Sequence, residues 1–95
     1  MPEVMKLRFH PGSLVATPGA LTALEENGQG CTQYLERHLQ GDWGDMCLED
    51  KQANEEAVEQ GLRILSAYRL EDGTKIWIIS ESNRSSSCVL LPSEY

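Results

Sequence analysis

The sequence is poor in positive charge. Eight Lys and Arg residues stand against fifteen Asp and Glu residues, which gives a formal net charge of −7 at pH 7. A charge of this sign repels the phosphates of nucleic acids and the surfaces of anionic membranes. We therefore expect no direct binding to nucleic acid or to membranes, whereas a basic protein surface would suit this chain as a partner.

Long hydrophobic runs are also missing. No stretch approaches the roughly 20 apolar residues that span a bilayer. The first residues, Met1–Lys6, lack the apolar core of a signal peptide. These absences predict a cytoplasmic protein.

Cysteine is scarce and widely spaced. The odd number of cysteines and their spacing predict neither a disulfide framework nor a Cys-x-x-Cys metal site. The sequence also lacks a glycine-rich phosphate loop and a calcium loop, so we expect no cofactor. The three cysteines are Cys31, Cys47 and Cys88.

Length and composition suit one compact domain. Ninety-five residues with 40% hydrophobic content are enough to bury roughly two thirds of the surface of the unfolded chain. We expect a single domain over residues 1–95.

The first half of the chain carries helix signals. Thr17 followed by Pro18 is typical of a helix N-terminus, and Asn27-Gly28 is typical of a helix end. Leu21 and Leu24 lie three residues apart, so we expect both on the inner face of this first helix.

Two further helices are predicted, over Thr32–Gln40 and Asp45–Gln60, each followed by a terminating glycine. The residues expected to face the core are Leu35 and Leu39 on the second helix and Met46, Ala53, Ala57 and Val58 on the third.

The second half is rich in strand-forming residues. The runs Leu62–Leu70 and Lys75–Glu81 flank Asp72-Gly73, which is the typical signal of a two-residue hairpin loop. Such a loop places Tyr68 opposite Trp77 and fixes the two faces of the sheet. The predicted faces carry Tyr68, Trp77 and Ile79 on one side and Leu65, Ala67, Ile76 and Ile78 on the other.

Three more extended segments complete the prediction. Residues 4–9 alternate with the period of a strand, Ser13–Ala16 forms a second extended piece, and Cys88–Leu91 forms the last strand. The sequence thus predicts an α+β domain. Its small, mainly antiparallel sheet consists of a C-terminal meander and an N-terminal strand, with two or three helices packed on one face.

Five stretches stand out in combination: Gly41–Asp45, Asn54-Glu55, Gly61–Tyr68, Asp72–Ile79 and Leu90–Tyr95. Together they resemble a family of small, plasmid-related bacterial proteins of uncharacterised function. The resemblance covers residues 12–95 and implies a setting on mobile elements, but it carries no catalytic residue to this chain. Ser82–Cys88 departs from the family, in which an Asp-Arg pair and threonines are usual.

The segment from residue 42 to residue 59 is the most acidic part of the chain. It holds seven carboxylates and a single lysine, Lys51. Like charges three or four residues apart destabilise a helix slightly, so an interaction with a basic partner would explain their retention. The alternative is an ordinary solvated helix face.

Aromatic residues pose a second question. Trp43 lies in the acidic, glycine-flanked loop, where it either anchors the loop in the core or contacts a partner. Tyr68 and Trp77 on the sheet leave the same choice open. The candidate partner-binding residues are therefore Asp42, Trp43, Asp45, Glu49, Asp50, Glu56, Tyr68 and Trp77.

We expect a non-enzymatic, acidic protein-interaction module of plasmid origin. Its most concrete form is an inhibitor of a host defence system, of anti-restriction or anti-CRISPR type, whose carboxylates occupy a positively charged nucleic-acid channel. The partner would then be a basic surface of a nucleic-acid-binding complex.

Two alternatives belong to other classes. The first is a small hydrolase that uses a metal bound by His38, Asp42, Asp45 and Glu49, or that uses Cys47 activated by His38. Against the metal site, glycines 41 and 44 interrupt the helix that would align its ligands. The second alternative is a regulatory or structural homodimer formed through a sheet edge.

Overall fold

The computed structural model describes residues 7–95, and within them it contains three helices packed against a four-stranded mixed sheet, which confirms the predicted α+β fold. In this part of the chain no helix is long and apolar enough to cross a membrane. The elements in chain order are β1 (Ser13–Ala16), α1 (Pro18–Glu26), α2 (Thr32–Leu39), α3 (Leu48–Gln60), β2 (Ile64–Arg69), β3 (Lys75–Ser80), β4 (Ser86–Leu90) and a terminal 3-10 turn (Pro92–Glu94).

The sheet has the strand order β1-β4-β3-β2. The strand β3 is antiparallel to both of its neighbours, whereas β1 runs parallel to β4. Residues 13–16 thus form the N-terminal strand of the sheet. The strand predicted over residues 4–9 is wrong for Leu7–Phe9, which lie in no strand, and residues 4–6 lie outside the described residues.

The predicted hairpin register is wrong by one residue. The Leu70 N–H donates to the Thr74 carbonyl over 2.8 Å, so the loop has three residues rather than two. Gly73 takes a left-handed conformation with φ 90°, as the third residue of such a loop requires. The loop is also held by side chains that precede α2, because Asn27 Oδ1 accepts the Asp72 N–H over 2.9 Å.

The register shift exchanges residues between the two faces. Tyr68 pairs with Ile76, and Ala67 pairs with Trp77, so Tyr68 and Trp77 lie on opposite faces. The inner face, which packs against α1 and α2, carries Ile64, Ser66, Tyr68, Ile76, Ile78, Ser80, Ser87 and Val89. The outer face carries Leu65, Ala67, Trp77, Ile79, Cys88 and Leu90.

The first two helices largely follow their sequence signals. The Thr17 hydroxyl accepts the Ala20 N–H at the start of α1, as predicted for a cap. Ala20 and Leu24 are buried, but Leu21 is 50% exposed. The buried face of α1 therefore does not include Leu21, contrary to the prediction. On α2 the predicted Leu35 and Leu39 are both buried.

The third helix differs more from its predicted form. It begins at Leu48 instead of Asp45, because the preceding residues pair with the edge of the sheet. Ala57 is buried as predicted, whereas Ala53 is exposed and its neighbour Asn54 is buried instead.

Replacement of Ala57 by leucine is expected to destabilise the domain by roughly 1 to 3 kcal/mol, because extra methyl groups cannot fit a packed core. Ala57 packs in one buried cluster with Trp43 and Ile64. The matched control is Ala53→Leu on the exposed side of the same helix. Urea unfolding of both variants measures the effect, and equal midpoints for the two would contradict it.

Candidate functional site

The loop before α3 forms a short extension of the sheet. Gly44 makes a parallel bridge to Ala67, in which the Asp45 N–H donates to the Ala67 carbonyl and the Ala67 N–H donates to the Trp43 carbonyl. Gly44 has φ 77°, and a Cβ at this position would collide with the Ala67 carbonyl oxygen. Only glycine therefore fits at this contact.

A buried asparagine continues this edge. The side chain of Asn54 donates to the Leu65 carbonyl over 2.7 Å and accepts the Leu65 N–H over 3.3 Å. Together with the Gly44 bridge, this amide occupies the outward backbone groups of Leu65 and Ala67 on β2. The acidic segment is thus fixed along the β2 edge of the sheet.

Three carboxylates of this segment are ion-paired with arginines. These hydrogen-bonded guanidinium groups hold the pKa values of all three carboxyls below their usual range. The pairs, each at 2.7 Å, are Asp42 with Arg37, Asp45 with Arg69 and Glu55 with Arg8. Asp42 and Asp45, both candidate partner-binding residues, therefore also hold the segment to its own domain.

Four other carboxylates form what we call the acidic face of α3: Glu49, Asp50, Glu56 and Glu59. All four are exposed, and within residues 7–95 none has a Lys or Arg nitrogen within 4.0 Å. Glu49, Glu56 and Glu59 share the outward side of α3, whereas Asp50 lies at the edge of this side, toward the sheet. This face is the largest run of unneutralised charge in the segment.

The arginines of the described residues are engaged within the domain. Arg63 pairs with Glu81, and its guanidinium also donates to the Tyr95 hydroxyl over 2.7 Å. Arg84 donates to the carbonyls of Ala57 and Leu62 at the end of α3. These guanidinium groups therefore contribute to contacts within the domain itself.

A groove lies beside the acidic face, between the start of α3 and the outer face of the sheet. Its volume is about 240 Å³, below the roughly 300–1,000 Å³ of sites that enclose small-molecule ligands. The half-buried Trp77 forms part of its floor and packs edge-on against Tyr95 with ring centroids 5.8 Å apart. The groove is lined by Asp45, Met46, Cys47, Asp50, Leu65, Ala67, Lys75 and Trp77.

Two of the candidate partner-binding aromatics are core residues. Trp43 is 3% exposed, and its indole N–H donates to Glu55 Oε2 over 2.8 Å. Tyr68 is buried by the one-residue register shift, and its hydroxyl donates to the Asp42 carbonyl over 2.6 Å. Both side chains support the acidic loop from within, so the prediction of direct partner contact needs correction for them.

The residues of the hydrolase alternative do not converge. His38 is fully buried and both of its ring nitrogens bond to serines, while Cys47 is exposed at the start of α3. Asp42 and Asp45 bond to different arginines. Within residues 7–95 no group of three or more His, Cys, Asp or Glu side chains is arranged to hold a metal ion.

The sequence-based reasoning missed a buried polar chain around His38. The Ser87 hydroxyl donates to the Pro11 carbonyl over 2.8 Å, so the Ser80 hydroxyl must donate to Ser87. His38 Nε2–H then donates to Ser80, and Nδ1 accepts the hydroxyl of Ser66. The signal was the presence of serines on the inner face of three strands, which only the correct register reveals.

Burial is the main reason that His38 stays neutral. Burial and, to a smaller extent, the nearby positive charge of Arg84 together lower the pKa of the imidazole to about 3. Because the ring has no access to solvent, it cannot meet a substrate. The chain of hydrogen bonds joins α2 to the sheet and is structural.

Comparison with protein-family models, with curated protein sequences and with solved structures finds no match to this chain.

Proposed function

We propose that this chain is a non-enzymatic interaction module that docks on a basic protein surface through the acidic face of α3 and the adjoining groove. The observation that carries the proposal is the contrast in charge pairing. Arginines neutralise the carboxylates that hold the loop, whereas Glu49, Asp50 and Glu56 have no such partner among residues 7–95.

The packing of α3 supports this role. Asn54 and Ala57 hold the buried side of the helix against the sheet, so the backbone that carries the charges has a defined position. A preformed surface binds without the entropic cost of ordering a flexible segment. This arrangement favours a specific partner over diffuse attraction to any cation.

The groove supplies the shape for a basic side chain. Leu65, Ala67 and Trp77 offer apolar surface for the stem of a lysine or arginine, while Asp50 lies at the same groove. A cation above an indole face gains about 0.5 to 2 kcal/mol. Trp77 therefore remains a candidate contact residue.

The resemblance to plasmid-related proteins supports a more specific form of the proposal. On a mobile element, an acidic module of this size would protect its carrier by occupying the basic nucleic-acid channel of a restriction or CRISPR effector. Its electrostatic attraction would compete with that of nucleic acid for the same channel.

The test is the triple charge reversal Glu49→Lys, Asp50→Lys and Glu56→Lys. We expect the variant to fold normally, to associate with a basic partner about tenfold more slowly or worse at low salt, and to lose most of the salt dependence of binding. The measurement is affinity capture from a plasmid-bearing host, followed by binding kinetics with the purified basic proteins that wild type retains.

A matched control separates the surface from the net charge. The triple variant Glu25→Lys, Glu26→Lys and Glu36→Lys changes exposed residues of α1 and α2, and it brings the same change in net charge, from −7 to −1, since each replacement adds two charges. This control should bind like wild type. Undiminished capture by the correctly folded α3 variant at low salt would overturn the proposal.

A further inference from the structure

The two edge strands of the sheet, β1 and β2, differ in whether other residues bond to their outward backbone groups. The edge at β2 is covered along Leu65 and Ala67, because Trp43, Asp45 and the Asn54 side chain bond to the outward backbone groups of these two residues. The edge at β1 has no such cover among residues 7–95. Uncovered edges are sites where another strand can add.

Hydrogen bonding shows which groups of β1 point outward. The Ser13 N–H donates to the carbonyl of Ser85, directly before β4, and the Thr17 N–H donates to the carbonyl of Val89 in β4, each over 2.9 Å. Because backbone groups alternate along a strand, the N–H and C=O groups of Leu14 and Ala16 point away from the sheet. These are the groups that an added strand would bond.

The side chains of β1 lack the usual protection of an exposed edge. Natural edge strands carry charged residues, proline or a bulge, but none of Ser13–Ala16 is charged or proline. Leu14 is 57% exposed and Val15 is 49% exposed. The two lie on opposite faces of the sheet, so both faces of this edge offer apolar surface.

We propose that β1 pairs antiparallel with β1 of a second copy of this chain. With the twofold axis at Val15, the outward groups of Leu14 bond to Ala16 of the partner subunit, and the same bonds form in reverse. Val15 then faces Val15 of the partner subunit directly, in the closely spaced type of cross-strand pair. The sheet becomes continuous across both copies.

The distribution of charge favours a second copy at this edge. The acidic face of α3 lies along β2, at the far side of the strand order β1-β4-β3-β2. The dimer therefore keeps its two acidic faces at its opposite outer ends. The faces are then a few Debye lengths apart, so dissolved salt screens their repulsion. Two acidic faces in one particle would also bind a partner with two basic sites more tightly than one alone.

As its concentration rises, the wild-type chain is expected to form a dimer with twice the mass of the monomer. Because a four-residue strand gives a small interface, dimerisation should need micromolar rather than nanomolar protein. Val15→Lys and Val15→Glu should each raise the dissociation constant about tenfold or more, since like charges then face each other. An equimolar mixture of the two variants should dimerise again, which only the twofold register predicts.

Analytical ultracentrifugation measures these masses, and thermal unfolding checks that each variant keeps its fold. The control Leu48→Lys, at an exposed leucine of α3, should dimerise like wild type.

A wild-type chain that stays monomeric at high micromolar concentration would overturn the proposal, and so would a mixture of the two Val15 variants that dimerises no better than either variant alone. Dimerisation that appears only after removal of residues 1–6 would also overturn the proposal, because it would mean that this segment occupies the β1 edge. None of these outcomes decides whether the acidic face of a single copy binds a basic partner.

Discussion

Replacement of Trp43 by alanine is expected to lower the free energy of unfolding by about 3 to 5 kcal/mol, the usual loss for a buried tryptophan. The indole is 3% exposed and stacks on Phe9 with ring centroids 6.3 Å apart. It also contacts His38 edge-on at 6.0 Å. Since small domains have only about 5 to 15 kcal/mol of total stability, this variant should be close to unfolding.

Urea unfolding measures this loss, with Trp77 fluorescence as the remaining indole signal. Trp43→Phe should lose less, because an aromatic ring still fills part of the site, although the smaller ring and the missing hydrogen bond to Glu55 also cost stability. Trp77→Ala is the matched control for an indole at the surface groove, and it should cost less than Trp43→Ala. A loss below about 1 kcal/mol for Trp43→Ala would show that the loop does not depend on its anchor.

The sequence predicted those elements whose signals are local. Thr17 and Pro18 mark the start of α1, and Gly61 with φ 68° marks the end of α3, because caps depend on a few neighbouring backbone groups. The fold class followed from the order of helical and strand-forming segments. Exposure of the carboxylates on α3 also followed, since charged side chains on a helix seek solvent.

Features that depend on distant partners were missed. The hairpin loop is one residue longer than its Asp-Gly signal indicates, and Asn27 and Gln29, far away in the sequence, bond to its backbone. Asn54 faces inward where Ala53 was expected, because the uncovered carbonyl and N–H of Leu65 need a polar partner. The site prediction failed for Tyr68 for the same reason, since its face depends on register.

Acid is expected to destabilise the domain through His38 before its carboxylates titrate. Burial lowers the pKa of this imidazole from 6.5 to about 3 in the folded state. Above pH 6.5 the histidine is neutral in both states and stability does not depend on it. Below pH 6.5 only the unfolded chain takes up the proton, so stability falls with falling pH, and this loss continues until the folded state also protonates.

Each pH unit in this window costs about 1.4 kcal/mol, so acidification from pH 6.5 to pH 5 should remove about 2 kcal/mol. Over the whole window down to about pH 3 the loss is of the order of 4 kcal/mol. The ion pairs lower the pKa values of the paired carboxyls below the ordinary values of 3.8 for Asp and 4.5 for Glu. They contribute to acid unfolding only below about pH 5, so the upper part of the window reports on His38.

The variant His38→Phe separates this titration from packing. It should be less stable than wild type at pH 7 by about 1 to 3 kcal/mol, because Ser66 loses the acceptor of its buried hydroxyl. Between pH 6.5 and pH 5, however, its stability should be nearly constant. His10→Gln, at the exposed histidine, should keep the wild-type slope. Urea midpoints at half-unit pH steps measure these slopes, and equal slopes for His38→Phe and wild type would show that the buried histidine does not control the response to acid.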